Sequence, residues 1–155
     1  MQNAKATSLE FLSRDDAKHE IAIANVESRT YGYRRDLSLA FKDAVERVRA
    51  TLKENGFGVL TEIDLKEKFR EKLGVEFRDY VILGACNPAL AHESLLEEID
   101  LGLLLPCNVI VYGQDSGSTV AAIDAKKMLA VTGNEKLVDA AEVINERLRR
   151  AIDTV

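Results

Sequence analysis

From residue 28 onward the apolar positions fall into alternating strand and helix periods. Tyr31 and Tyr33 sit at strand spacing within 29–35. Phe41, Val45, Val48 and Leu52 then recur at helical spacing. They predict a helix over 38–55, with Ser38 as its cap and Gly56 just past its end. The run 57–63 is rich in β-branched and apolar residues and reads as a strand. Asp64 and Glu67 have capping-box spacing and open a short helix carrying Leu65, Phe69 and Leu73, which Gly74 ends. The segment 80–86 contains Val81-Ile82-Leu83-Gly84-Ala85, apolar on both faces, so it is expected inside a sheet. Asn87-Pro88 is a strong helix start, because Asn caps well and Pro is pre-organised for the first helical position. That helix is expected to end near residue 98. A long strand over 101–112, interrupted at Pro106, should follow. After a turn at 113–117 come an antiparallel strand over 119–123 and a short helix over 125–130. Asn134 caps a last helix with Leu137, Ala141, Ile144, Leu148 and Ile152 on one stripe.

This order predicts an α+β domain: a mainly antiparallel sheet with two long helices, 38–55 and 134–152, on one face. A doubly wound parallel fold would want regular crossover helices and finds no Gly-rich phosphate loop here. The first 28 residues read differently. Leu9, Phe11 and Leu12 are isolated among polar residues, and Ile21 and Ile23 alternate with alanines. An arm over 1–28, partly ordered or frayed, is expected ahead of a single domain over 29–155.

Composition narrows the function classes. A chain of 155 residues can bury a sufficient core without disulfides or metal. The net charge of −5 argues against a nucleic-acid surface. Arg147, Arg149 and Arg150 cluster near a predicted helix end, where cations suit the dipole. Apolar stretches break well before the roughly 18 residues a membrane helix needs, so no membrane partner is expected. Residues 1–16 lack a signal-peptide core, so a cytoplasmic location with reduced thiols is expected.

The candidate chemistry is a repeated dipeptide. The only cysteines occur as Cys86-Asn87 and Cys107-Asn108, each with a proline within two positions. Cys86 would stand just before the helix that Asn87 caps. Unpaired N–H groups and the helix dipole there favour an anion, which would depress a thiol pKa. His92, about one turn into that helix, is the one candidate base. Cys107 follows Leu103 and Leu105 at period two and is expected on their face. Pro106 suggests a bulge or edge that re-aims Cys107 toward Cys86. The candidate ligand-binding set is therefore Cys86, Asn87, His92, Cys107 and Asn108. As metal ligands Cys86 and Cys107 are too few for a closed zinc site, but two thiolates suit a soft ion such as Cu(I). Against this stands ordinary packing: a small thiol fits a core beside Gly84 and Ala85, and both asparagines serve backbone groups. Glu62 with Asp64, the patch of Glu93, Glu97, Glu98 and Asp100, and the strand tyrosines read as structural. His19 reads as an exposed arm residue.

Three motifs in order carry a resemblance. Gly56-Phe57-Gly58-Val59-Leu60-Thr61-Glu62-Ile63-Asp64, Leu83-Gly84-Ala85-Cys86-Asn87-Pro88-Ala89-Leu90-Ala91 and Leu104-Leu105-Pro106-Cys107-Asn108-Val109 together resemble the domain of unknown function 302 (DUF302) family. The resemblance spans 31–152 and leaves the arm outside. It implies a strand–helix–four-strand–helix architecture similar to that of the TATA-binding protein, and a homodimer. It implies no DNA binding and brings no activity or cofactor, since fold does not carry function. The residues favour a binding module with a thiol site around Cys86, for a small molecule, soft metal or sulfur species. A thiol-dependent redox protein or enzyme using Cys86, with Cys107 as partner, and purely structural cysteines are the alternatives.

Overall fold

The computed structural model describes residues 31–155. The expected arm and His19 therefore lie outside the described residues. Strand β1 (Gly32–Leu37) leads to helix α1 (Phe41–Glu54), β2 (Gly58–Asp64) and α2 (Leu65–Leu73). Next come β3 (Tyr80–Cys86), α3 (Pro88–Glu97) and a 3-10 turn over Ile99–Leu104. Strands β4 (Cys107–Gly113) and β5 (Ser118–Ile123), helix α4 (Ala125–Ala130) and helix α5 (Val138–Asp153) complete the chain, with a 3-10 turn over Glu135–Leu137 before α5. Among the described residues the strands form one open sheet in the order β1-β5-β4-β3-β2, every neighbour antiparallel. This is the α+β architecture expected from the pattern, with short helices inserted in the four-strand run.

Strand register separates the two faces of the sheet. Val81 faces Val111, Leu83 faces Val109 and Ala85 faces Cys107, while Val109 and Val111 face Ala122 and Val120. All of these are buried in one core. Helix α1 adds Ala44, Val48 and Leu52 to that core, and α5 adds Ala141, Ile144, Leu148 and Ile152. Both long helices thus cover the same face, as their single apolar stripes require. Each buried Leu, Ile or Val contributes about 1.5–3 kcal/mol, so this layer carries most of the stability. The other face pairs Ile63 with Ile82, Ile82 with Ile110 and Ile110 with Ala121. Ile63 is 43% exposed there and no helix of the core layer covers it.

Several boundaries differ from expectation for local reasons. Helix α1 starts at Phe41 with Ala40 at its cap position and no side-chain cap, so Ser38 does not cap it. Tyr31 lies outside β1. Helix α2 has the expected Asp64 cap and left-handed Gly74 but buries none of its residues. Its Phe69 instead meets Phe77 edge-on at 5.1 Å, and Phe77 meets Tyr80 at the sheet's open face. The expected long strand over 101–112 begins only at Cys107. The alternating leucines before it form a helical turn in which Leu101 is buried and Leu103 is 88% exposed. The burial there follows the three-residue repeat of the turn, with Leu101 buried and Leu104 partly buried, so Cys107 does not share a strand face with Leu103. Pro106 follows a cis peptide bond rather than forming a bulge. Asn134 caps the short turn over Glu135–Leu137 ahead of α5.

Candidate functional site

The site begins where β3 becomes α3. The Asn87 side chain accepts from the Leu90 amide at 3.1 Å, which fixes the start of α3 directly after Cys86. The same side chain donates through Nδ2 to the Gly56 carbonyl at 3.0 Å. Gly56 has φ 85°, the left-handed conformation that ends α1. One asparagine therefore ties the α1–β2 turn to the β3–α3 junction.

Register brings the second cysteine alongside. Cys107 faces Ala85, so it is the cross-strand neighbour of the residue before Cys86. Both thiols are free, Cys107 buried and Cys86 partly buried. They line one cavity of about 20 Å³, room for about one water molecule. Asn87 and Ala91 from α3, Met128 and Leu129 from α4, and Ile144 from α5 line it too. Phe57 and Leu101 complete an apolar wall. Ser94 also lines it, but its hydroxyl donates to the Leu90 carbonyl at 2.8 Å within α3.

The electrostatics correct one expectation. Burial pushes the Cys86 thiol above its ordinary range rather than below it. Burial, and the neighbouring Cys86, push Cys107 up to about 11. Desolvation outweighs the helix dipole at Cys86, where the Leu90 amide of the first turn of α3 is already taken by Asn87.

The expected set of five residues is only partly assembled. Cys86, Asn87 and Cys107 converge on the cavity. His92 is exposed on α3 and does not line it. Asn108 is exposed and faces Gly84 on the opposite side of the sheet from Cys107. Their separation follows from periodicity: successive strand residues point to opposite faces, so a Cys-Asn dipeptide within β4 cannot place both side chains in one site. Glu62 pairs with Arg49 of α1, and Asp64 caps α2, so that carboxylate pair is structural. Tyr33 lies under the Arg149 guanidinium at 4.8 Å and donates to Asp153 at 2.5 Å, tying β1 to α5. Among the described residues no group of three or more His, Cys, Asp and Glu is placed to hold a metal ion. Met128 is the member of the site that sequence reasoning missed. Nothing in Ala125–Ala130 marks the methionine as facing the cysteines.

Comparison with known proteins agrees with this architecture. The model of the domain of unknown function DUF302 matches residues 33–155. The chain belongs to the DUF302 family. A crystal structure of an uncharacterized conserved DUF302 protein from Bacillus stearothermophilus superposes with a TM-score of 0.75 at 31% identity. The alignment covers 81% of this chain and 98% of that one. No curated protein matches the chain. The resemblance read from the three motifs is thus a family membership, and the motifs map onto the site. The first holds Gly56 and β2, the second β3 with the Asn87 cap, and the third the cis proline and Cys107. Among the described residues no helix is long and apolar enough to cross a membrane.

Proposed function

We propose that this DUF302 domain is a binding module whose ligand is held by the Cys86–Cys107 thiol pair. The observation that carries the reading is the convergence of both thiols on one small apolar cavity. The cavity's volume of about 20 Å³ sits far below the roughly 300–1,000 Å³ of small-molecule pockets. That size favours a soft metal ion or a single sulfur atom over an organic ligand. Raised thiol pKa values and an exposed His92 weigh against the thiol-enzyme alternative, which needs a thiolate and a base in reach. A reducing cytoplasmic setting would keep both groups as thiols.

Native mass spectrometry tests the reading. Wild type and a Cys86→Ser/Cys107→Ser variant are purified without oxygen, exposed to copper(I) or to polysulfide, and desalted. Added mass retained by wild type and missing from the variant is the expected result. Equal retention, or none in either protein, would return the cysteines to core packing. The proposal includes a homodimer, with Ile63 and the partly buried Ile82 and Ile110 of the open sheet face as apolar surface to be covered.

A further inference from the structure

Resting on that reading, we propose that the ligand is a monovalent soft cation of the Cu(I) type, held by Cys86, Cys107 and, as third ligand, the thioether of Met128. The three sulfur side chains line the same small cavity, from β3, β4 and α4. The remaining wall is hydrocarbon, apart from the Asn87 side chain and the Ser94 hydroxyl, which are already bonded to backbone groups. Thiolate and thioether donors select Cu(I), whereas zinc wants four nitrogen, oxygen or sulfur ligands. Among the described residues no imidazole or carboxylate lines the cavity to complete a zinc set. The space suits one ion and little else.

Charge can be followed through the step. Cu(I) enters with one positive charge, both thiols release their protons to solvent, and no electron is transferred. The loaded site carries one net negative charge. One feature beside it favours that charge. Helix α3 presents its N-terminus immediately after Cys86. Met128 is uncharged, so a third sulfur donor adds no further negative charge to a buried site.

The test is anaerobic titration of the full chain with Cu(I) against a colorimetric Cu(I) chelator, alongside Met128→Leu, Met128→Cys, Cys86→Ser and Cys107→Ser. Leu replaces Met at nearly equal volume, and thermal melts of the metal-free proteins check that each variant folds. The proposal expects Met128→Leu to weaken Cu(I) binding by about tenfold or more, Met128→Cys to keep it, and either serine variant to lose it. X-ray absorption should show a sulfur-only shell that loses one sulfur in Met128→Leu. Unchanged affinity and shell in Met128→Leu, with the serine variants defective, would overturn the role of Met128 and leave the thiol-pair reading standing. No Cu(I) binding, with polysulfide sulfur still retained on the thiols, would overturn the choice of ion alone. Cu(I) binding unaffected by the serine variants would sink both.

Discussion

Of the glycines in the described strands, Gly84 has the least room for a side chain. A Cβ there would stand 2.1 Å from Thr61 Oγ1 and 2.6 Å from Pro106 Cγ. The open face at this point is filled by its neighbours, and only hydrogen fits. Gly84→Ala should destabilise the domain by about 1–3 kcal/mol, as overpacking does. Thr61→Ala in the same chain should recover part of the loss, with the Pro106 contact remaining; urea denaturation of the single and double variants checks both. Cys107 offers a second residue-scale prediction. A thiol whose folded pKa is raised stabilises the native state below its unfolded pKa. That stability is lost as pH rises through the folded value. For Cys107 the window runs from about 9 to about 11. Metal-free protein should therefore lose about 2–3 kcal/mol across that window, and Cys107→Ala should flatten the profile. Both thiols should also alkylate more slowly at pH 7 than a free cysteine, Cys107 slowest. A Cys86 rate faster than a free thiol would restore the helix-dipole expectation.

At the scale of elements, Asn87 has the widest reach. Its side chain caps α3 and anchors the turn that ends α1. Asn87→Ala should cost about 1–2 kcal/mol, read as a lower urea midpoint. Asn87→Asp keeps the acceptor for Leu90 but loses the donor to Gly56, so it should fall between alanine and wild type. This element was legible because capping is local: Asn87-Pro88, Asp64 and Gly74 act on groups within a few residues of themselves. The stripes on α1 and α5 were legible for the same reason. What failed was periodicity in short segments. Leu101, Leu103 and Leu105 alternate like a strand, yet Ile99–Leu104 is a 3-10 turn with a three-residue repeat, which buries Leu101 and turns Leu103 outward. The candidate site was half legible. Cys86 and Asn87 are fixed by the cap, and Cys107 by a register that no local signal encodes. Met128 arrives from α4, far along the chain, through packing alone.

Across the described residues, one face of the sheet is covered by the two long helices and the other is not. Ile63, 43% exposed, and the partly buried Ile82, Ile110 and Ala121 run across β2 to β5 on that side, and the proposed homodimer would cover this apolar row. In the proposed homodimer, Ile82→Glu or Ile110→Lys should shift the mass in light scattering from dimer to monomer while leaving the thermal melt cooperative. Wild-type protein that is monomeric at micromolar concentration would end that part of the proposal. The sheet order carries a further consequence for how the molecule is made. Gly32 pairs with Ile123 and Leu37 with Ser118, so among the described residues the first strand pairs only with the last. Strands β2 to β5 are sequential antiparallel neighbours and can zip as they leave the ribosome. Strand β1 must wait, because nearly the whole domain has to be synthesised before its partner exists. Closing that loop is the slow, entropically demanding contact of the fold. The chain is thus exposed to premature termination in a lopsided way: a fragment that stops before β5 keeps most of its sheet yet strands its own beginning.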